Sequence, residues 1–211
     1  MTRVVAVRHG ETDWNRDRRM QGWAPVPLNE TGREQARAAG AWLAEEYDVD
    51  RVVSSDLLRT EQTTELLLEA IGDRPVSYEQ ALRERNLGVY QGLPYSDVED
   101  RFPTFGLSET AYRAIDAVPE GGESFQEVER RVTRRFEELS TTDAETVLLV
   151  THGGPLCILL GHAKGAELTD ALCSHHPDNC SATEFHVDDG VRIHRECVTG
   201  WKPEASGDRS Q

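Results

Sequence analysis

The segment Val4-Val5-Ala6-Val7-Arg8-His9-Gly10-Glu11-Thr12 leads an apolar run directly into polar residues. Its first four side chains are apolar and mostly β-branched, which predicts a short buried strand, and Gly10 indicates that a loop follows. In α/β proteins, ligands bind beyond the carboxyl ends of the strands. Arg8 and His9 are therefore candidate functional residues because of their place at such an end.

Two more segments repeat this arrangement along the chain. A strand is predicted at Arg51-Val52-Val53-Ser54-Ser55 and is followed by a helix over 60–70. Another strand is predicted over 146–150; it leads into Thr151-His152-Gly153-Gly154 and a helix from Leu156. Strands that alternate with helices form mainly parallel sheets with helices on both faces. We therefore predict an α/β fold, a three-layer α/β/α sandwich with a mainly parallel central sheet, whose strand ends meet at one edge.

Three further elements follow from local periodicity. They are a helix over 33–47 after the capping signal at Asn29, an amphipathic helix over 124–139, and a hairpin formed by 182–187 and 191–197. The pattern contains no internal repeat and no linker. We expect a single domain over residues 1–200.

Two regions lack such periodicity. Residues 88–124 are rich in glycine, proline and aromatic side chains, which predicts an inserted lid region, and residues 201–211 are expected to form a disordered tail. The aromatic side chains of the lid either line a substrate mouth or simply pack the insert. Trp14 and Trp23, close to His9 in sequence, are better candidates for the rim of a site.

Charge excludes several classes of partner. Acidic residues outnumber basic ones by 38 to 23, for a formal net charge of −15, and Lys164 and Lys202 are the only lysines. Nucleic acids and anionic membranes bind through Lys and Arg contacts to phosphates, so we expect neither as a partner. Such acidity is also typical of proteins from salt-loving organisms, because charge is screened within about 3 Å at 1 M salt.

The sequence also bears on compartment and on cysteine chemistry. It begins without a signal-peptide pattern, and no apolar stretch approaches the roughly 20 residues that cross a bilayer, so we expect a cytoplasmic protein. Four cysteines are scattered over the C-terminal half. A chain of this size can bury a core without disulfides, so we predict free thiols.

One cluster contains the residue types of a zinc site. Cys173, His175, His176 and Cys180 lie close together in sequence, but their spacing differs from the usual finger patterns. We therefore predict no metal site and interpret the cluster as the rim of an active site or an ordinary loop. Metal analysis of the purified protein separates these interpretations.

Two arginines and two histidines are predicted to converge at the sheet edge. Arg8 and Arg59 can each bind phosphate oxygens through paired N–H groups, and a neutral His9 can attack phosphorus. His152 precedes two glycines and a helix, whose N-terminus favours anions. Each residue alone has a simpler interpretation, as a hydrogen-bonded histidine or a solvated arginine, and only their convergence indicates a phosphate site.

An ordered series of motifs resembles one known family. The series comprises Arg8-His9-Gly10-Glu11-Thr12 with Asn15, Gln21-Gly22, Pro27-Leu28, Thr31-Gly32 with Gln35-Ala36, Ser54-Ser55-Asp56-Leu57 with Arg59-Thr60, Leu82-Arg83-Glu84 with Gly88 and Gly92, Gly121-Gly122-Glu123-Ser124 and Val150-Thr151-His152-Gly153-Gly154. Over about 3–187 it resembles the histidine phosphatase superfamily, which includes phosphoglycerate mutases and broad-specificity phosphatases. The resemblance implies a phosphoglycerate mutase-like fold.

The resemblance also implies roles for individual residues. His9 would carry the phosphoryl group as phosphohistidine, and Arg8, Arg59 and His152 would hold its oxygens. The implied substrate-binding residues are Asn15, Gln21, Gly22, Thr12 and Gly153. No cofactor is implied, the partner is a small phosphorylated substrate, and a homodimer is an open expectation.

Glu84 takes the role of general acid by the same resemblance. It would protonate the leaving oxygen and then accept a proton from the attacking water. From the sequence alone, a salt bridge to Arg83 or Arg85 is the simpler interpretation. Glu11 is a weaker candidate, because its carboxylate can serve only to orient its neighbours.

Three functions remain open at this point. The motifs favour a histidine acid phosphatase-type phosphomonoesterase, and Gly121-Gly122-Glu123-Ser124 resembles the phosphatase branch, including the α-ribazole phosphatase type. The alternative is a cofactor-dependent phosphoglycerate mutase, but the insert offers only Arg101 and Arg113, and no lysine, to grip a small anionic substrate. A non-catalytic phospho-ligand binder on the same fold is the third possibility, although such a protein would be expected to lose His9 or Glu84.

Overall fold

The computed structural model describes residues 1–105, 114–139 and 142–202 of the chain. Part of the predicted lid, 106–113, and most of the predicted tail, 203–211, lie outside the described residues. Trp201 and Lys202, which the sequence assigns to the tail, make defined contacts: Trp201 Nε1 donates to the carbonyl of Cys180 at 2.9 Å, and Lys202 pairs with Asp178. The prediction of a tail beginning at residue 201 is therefore wrong for these two residues.

Strands and helices alternate along most of the chain. The strands are β1 (Thr2–Arg8), β2 (Arg51–Ser55), β3 (Val76–Glu79), β4 (Thr146–Thr151), β5 (Ala182–Val187) and β6 (Val191–Val198). The helices of the described residues are α1 (Asp13–Arg16), α2 (Glu30–Glu46), α3 (Leu58–Ile71), α4 (Tyr95–Arg101), α5 (Phe125–Leu139), α6 (Gly153–Lys164) and α7 (Leu168–Ser174).

The six strands form one mixed, mainly parallel sheet in the order β3-β2-β4-β1-β5-β6. The first four strands of this order are mutually parallel, whereas β5 and β6 are antiparallel to their neighbours. The three strands predicted from apolar runs, β2, β4 and β1, are therefore adjacent. In their register Arg8 lies opposite Thr151 and Ser54 lies opposite Val150, so the three carboxyl ends meet at one edge as predicted.

Both faces of the sheet are covered. Along β1, Val4 and Ala6 pack into one core cluster with α5 and α6, while Val5 and Val7 pack into another with α2 and α3. Because side chains alternate along a strand, a sheet buried on both faces needs continuous apolar strands, which is the pattern observed. The α/β fold with three layers is confirmed.

Two helices begin three residues earlier than their apolar periodicity predicts, and α3 begins two residues earlier, at Leu58. The side chain of Asn29 accepts a hydrogen bond from Gly32 N at 2.8 Å and caps α2, which starts at Glu30 and not at residue 33. The helix α6 starts at Gly153 and not at Leu156. The first turn of α2 begins with Glu30-Thr31-Gly32 and that of α6 with Gly153-Gly154-Pro155, and neither carries an apolar pattern.

The described part of the insert packs against the loop after α1. Backbone hydrogen bonds join Met20 N to Leu93 O at 2.9 Å, Gly92 N to Met20 O at 2.8 Å and Tyr95 N to Arg18 O at 2.9 Å. Short helical turns and α4 lie between these contacts and residue 105. Among the described residues, no helix is both long enough and apolar enough to span a bilayer.

Candidate active site

A cleft with a volume of about 540 Å³ opens at the carboxyl ends of β1, β2 and β4. Eight of the predicted site residues line it: Arg8, His9, Asn15, Gln21, Gly22, Arg59, Glu84 and Gly153. The two others, Thr12 and His152, are fully buried and are not among the described residues that line the cleft. The sheet edge thus brings the predicted residues together from five separate segments.

His9 follows β1 and is fixed by its own backbone. Its N–H donates to Thr151 O at 3.0 Å, and Asn179 donates to its carbonyl at 2.9 Å. The ring is 2% exposed, and its Nδ1 lies 2.7 Å from the carbonyl oxygen of Gly10. A carbonyl can only accept, so Nδ1 carries the proton and Nε2 keeps a free lone pair.

The surroundings of His9 keep the imidazole neutral. Burial lowers its pKa well below the usual value, and the positive charges of Arg59 and Arg8 lower it further. A neutral ring with an unprotonated Nε2 is the form that can attack phosphorus. The sequence prediction of His9 as nucleophile therefore agrees with its tautomer and its electrostatic environment.

Arg8 and Arg59 place positive charge near His9. Arg8 Nη1 donates to the carbonyl of Pro177 at 2.7 Å. Arg59, in the first turn of α3, is buried and donates to Gly22 O at 2.9 Å. Burial lowers the pKa of Arg59 to about 10, so it is still protonated at neutral pH.

His152 lies behind His9, at the N-cap of α6. Its ring centroid is 5.2 Å from that of His9, and its Nε2 lies 2.8 Å from the hydroxyl of Ser55. Burial, followed by the charge of Arg59, lowers the pKa of His152 well below the usual value. The sheet edge thus holds two neutral histidines near two charged arginines.

Several polar atoms in this region are buried without a protein partner in the described part of the chain. They are Nδ1 of His152 and the Nε atoms of Arg8 and Arg59. A buried donor without an acceptor costs roughly 1–3 kcal/mol. Such donors suit a bound anion, which would supply the missing acceptors.

Glu84 faces the same cleft on a loop between β3 and α4. Its Oε1 accepts from Arg85 N at 2.9 Å, and its Oε2 accepts from Gly154 N at 3.1 Å in the first turn of α6. A Cβ on Gly154 would lie 2.4 Å from Oε1, so glycine alone leaves room for the carboxylate.

The alternative interpretation of Glu84, a salt bridge to a neighbouring arginine, is wrong. Arg83 pairs instead with Asp56, through two hydrogen bonds of 2.6 and 2.7 Å. The guanidinium of Arg85 donates to the carbonyls of Glu123 and Ala117. Both arginines are engaged elsewhere, so the carboxylate of Glu84 remains directed at the cleft.

The segment Gly121–Ser124 supports the loop that carries Glu84. Glu123 accepts from Asn86 N at 2.8 Å and pairs with Arg131 at 2.7 Å. Arg131 in turn donates to the carbonyl of Glu84 at 3.0 Å. This motif therefore acts as a scaffold for the candidate acid.

Trp23 belongs to the same support. Its Nε1 donates to Glu84 O at 2.7 Å, and the guanidinium of Arg83 stacks 4.5 Å from its ring centroid. Trp23 and Trp14 are not among the described residues that line the cleft. The interpretation of these two tryptophans as rim residues is therefore not supported.

Thr12 and Asn15 form a capping box at the start of α1. The hydroxyl of Thr12 accepts from Asn15 N at 3.1 Å, and Thr12 N donates to Asn15 Oδ1 at 3.2 Å. The same hydroxyl also donates to Gln21 Oε1 at 3.0 Å. Thr12 thus orients Asn15 and Gln21, which line the cleft, and does not face the cleft itself.

Other residues line the cleft without having been predicted. They include Met20, Arg85, Leu87, Glu99, Phe125, Cys157, Leu172 and Asp178. They come from widely separated segments and share no local motif. Two aromatic side chains of the lid, Tyr95 and Phe105, also line the cleft, which is one of the two alternatives left open for the lid aromatics. The candidate zinc ligands Cys173, His175 and His176 also line the cleft, and no group of three or more metal-binding side chains converges within the described ranges.

Comparison with known proteins places this geometry in a family. A family model described as "Histidine phosphatase superfamily (branch 1)" matches residues 4–197. The chain belongs to this superfamily. The resemblance inferred from the motifs and the phosphoglycerate mutase-like fold are thereby confirmed.

Individual members of the superfamily are similar over most of the chain. A 2,3-bisphosphoglycerate-dependent phosphoglycerate mutase of Gloeobacter violaceus is 36% identical, over 76% of this chain and 74% of the relative. A mycobacterial glucosyl-3-phosphoglycerate phosphatase superposes with a TM-score of 0.77 at 30% identity, covering 93% of this chain and 98% of that one. An α-ribazole phosphatase of Shigella flexneri has a TM-score of 0.82 at 26% identity, with 94% and 97% covered.

Proposed function

We propose that this member of the histidine phosphatase superfamily is a phosphomonoester hydrolase that acts on a small phosphorylated metabolite through phosphohistidine at His9. The observation that carries the proposal is the hydrogen bond from His9 Nδ1 to Gly10 O, 2.7 Å long, which leaves Nε2 free beside two arginines. A histidine acid phosphatase-type reaction needs this nucleophile and an acid in the same cleft, and Glu84 supplies the acid.

In the first step, Nε2 of His9 attacks phosphorus and the bond to the leaving oxygen breaks. The arginines stabilise the charge on the phosphoryl oxygens, since phosphoryl transfer depends mainly on positioning and electrostatics. His152 contributes a neutral donor in the tautomer in which the hydroxyl of Ser55 donates to Nε2 and Nδ1 carries the ring proton. Glu84 gives its proton to the leaving oxygen.

In the second step, water attacks the phosphohistidine. Glu84, now ionised, accepts a proton from that water, and inorganic phosphate leaves as His9 regains its neutral form. The backbone amides of Arg85 and Gly154 hold the carboxyl group of Glu84 in the cleft during both steps. One carboxyl group therefore serves both half-reactions.

Release of inorganic phosphate from p-nitrophenyl phosphate, with EDTA present, tests this proposal. We expect turnover in the wild type, and a loss of at least about a thousandfold in His9→Ala, because the nucleophile is gone. His162→Ala, which removes an exposed histidine of α6, is the matched control and should keep wild-type activity. Wild-type turnover that persists in His9→Ala would contradict the assigned nucleophile.

A second candidate function is phosphoglycerate mutase activity, which the name of the Gloeobacter relative suggests. A mutase returns the phosphoryl group to a phosphoglycerate instead of to water. Interconversion of phosphoglycerates, assayed after priming with 2,3-bisphosphoglycerate, distinguishes the two. Interconversion without phosphate release would favour the mutase, and inactivity in both assays would favour a non-catalytic binder.

The substrate panel follows from the structural relatives. The substrates to be assayed are glucosyl-3-phosphoglycerate and α-ribazole 5′-phosphate, after the names of two phosphatases of similar structure, and 3-phosphoglycerate, which represents the mutase alternative. Besides the predicted site residues, the cleft is lined by apolar side chains such as Leu87, Phe125 and Leu172 and by charged ones such as Arg85, Glu99 and Asp178. Ratios of kcat/KM across the panel therefore report which organic group this surface accepts.

A further inference from the structure

Both lysines of this arginine-rich chain contact one short segment at the mouth of the cleft. This segment, residues 175–179, follows α7 and is called the rim segment below. Nζ of Lys164, at the end of α6, lies 2.9 Å from Nε2 of His175. Nζ of Lys202 lies 2.8 Å from the carboxylate of Asp178.

The rim segment contacts the candidate catalytic groups directly. Its Pro177 carbonyl accepts from Nη1 of Arg8 at 2.7 Å, and its Asn179 side chain donates to the backbone carbonyl of His9 at 2.9 Å. The next residue, Cys180, donates its N–H to Arg8 O at 3.0 Å. The rim segment therefore contacts both the guanidinium of Arg8 and the backbone of His9.

The segment has little regular structure of its own. Residues 175–178 are neither helix nor strand, and all four, His175, His176, Pro177 and Asp178, line the cleft. Apart from the lysines, His175 is held by Nδ1 donating to Ala171 O at 2.9 Å and by its carbonyl accepting from Cys157 Sγ at 3.0 Å. Side-chain contacts, rather than a strand ladder, thus hold this part of the cleft.

Each lysine joins the rim segment to a different part of the molecule. Lys164 also donates to Glu196 of β6 at 2.8 Å, so it links α6, the rim segment and the edge strand. Lys202 follows Trp201, whose indole donates to Cys180 O at 2.9 Å. The lysine side chains are 39% and 44% exposed, and exposed ion pairs of this kind are weak. They are suited to bias the position of a loop and not to hold the fold together.

We propose that Lys164 and Lys202 are positioning residues that keep the rim segment against Arg8 and His9 and thereby set the affinity for the phosphoryl group. The inference rests on the proposed function, because it assigns phosphate binding to Arg8. When only a fraction of the molecules holds the binding-competent loop, the apparent affinity falls by that fraction while turnover at saturation is kept. Loss of the lysines should therefore raise KM and leave kcat nearly unchanged.

The double variant Lys164→Ala/Lys202→Ala tests the inference. We expect KM for p-nitrophenyl phosphate to rise about threefold to tenfold, with kcat within about twofold of the wild type. The inhibition constant of inorganic phosphate should rise in parallel. The matched control is Arg37→Ala/Arg192→Ala, which removes two exposed ion pairs elsewhere and changes the net charge equally. This control should keep the wild-type KM.

Conservative replacement provides the second readout. Lys164→Arg/Lys202→Arg keeps the charge and the donors, so its KM should return to within about twofold of the wild type. A KM in the alanine double variant equal to that of the control, or a fall in kcat at constant KM, would overturn the inference.

Failure of this inference is distinguishable from failure of the proposed function. The His9→Ala comparison is made first, because it tests the nucleophile without reference to the lysines. If the wild type lacks turnover, the proposed function fails. Calorimetric binding of inorganic phosphate to the wild type and the double variants then tests the lysines, and equal affinities would overturn their role.

Discussion

At the scale of single residues, hydrogen bonds to the backbone orient the side chains of the candidate nucleophile and the candidate acid. His9 is oriented by Gly10 O, and Glu84 by the amides of Arg85 and Gly154. A backbone partner fixes the protonation site of an imidazole more firmly than a mobile side chain would, because the carbonyl cannot donate. The chemistry of the site therefore depends on the loops that follow β1 and β3.

The buried histidines make the stability of the fold depend on pH. His9 and His152 have pKa values lowered well below 6.5 in the folded state, whereas the unfolded chain protonates near 6.5. The unfolded state therefore binds more protons as the pH falls below about 6.5, and the stability present above that pH is lost. Each histidine contributes a slope of up to about 1.4 kcal/mol per pH unit.

Urea unfolding between pH 7.5 and 5.5 measures this slope. We expect the free energy of unfolding of the wild type to decrease as the pH is lowered. The decrease should be less steep in His9→Ala, which lacks one titrating group. Arg37→Ala, which removes an exposed side chain and no histidine, is the control and should keep the wild-type slope. Equal slopes in His9→Ala and the wild type would show that His9 is not held neutral by the fold.

At the scale of elements, α6 and the Glu84 loop are closely packed at Gly154. A Cβ at residue 154 would lie 2.4 Å from Glu84 Oε1, while a Cβ at residue 153 would lie 3.6 Å from Arg8 Nε, an ordinary contact. Two adjacent glycines in one helical turn thus have different tolerance for alanine. A comparison of the two alanine variants therefore tests the effect of displacing the carboxylate of Glu84.

Gly154→Ala should displace Glu84 and lower kcat on the order of tenfold to a hundredfold for an alkyl phosphate, because general acid catalysis contributes at least this much. The loss should be smaller for p-nitrophenyl phosphate, whose leaving group needs less protonation. Gly153→Ala should change kcat much less. Steady-state kinetics with both substrates checks this, and equal losses with the two leaving groups would contradict an acid role for Glu84.

The elements also show how far the sequence alone leads. β1, β2 and β4 were predictable, because strands buried on both faces require continuous apolar residues. β3 was not, since Val76-Ser77-Tyr78-Glu79 is short and only half-buried and has no apolar run. The starts of α2 and α6 were misplaced by three residues each, because caps and glycines precede the apolar stripe.

Some residues of the candidate site could be predicted from local patterns in the sequence, and others could not. Arg8 ends one recognisable strand and His152 follows another, whereas Glu84 lies on an irregular loop and was assigned only through the resemblance. The rim segment approaches Arg8 from more than 160 positions away along the chain, so no local pattern connects them. Contacts of this kind depend on the register of β1, β4 and β5, which a single sequence does not encode locally.

At the scale of the whole molecule, excess negative charge dominates the surface. With a net charge of −15, the excess carboxylates repel one another in the folded state, and screening at high salt weakens that repulsion. Exposed ion pairs such as Arg37 with Glu69 are screened as well, but carboxylates outnumber cations, so the repulsive contribution is larger. The fold should therefore gain stability from salt.

Thermal unfolding in a series of KCl concentrations measures this gain. We expect Tm to rise between low salt and 1 M KCl, by roughly 2–4 °C for each kcal/mol of repulsion removed. Screening should approach a plateau, whereas exclusion of solute from the surface would raise Tm steadily with concentration. A Tm that stays constant or falls with KCl would contradict the proposed adaptation to high salt.

The site of phosphorylation tests the central claim most directly. The enzyme is mixed rapidly with p-nitrophenyl phosphate, whose good leaving group makes phosphorylation fast, quenched in alkali to preserve phosphohistidine, and mapped by mass spectrometry. The account predicts phosphate on His9, formed within one turnover and absent from His9→Ala. Phosphate on another residue, or steady turnover with no phosphoenzyme at any mixing time, would contradict it.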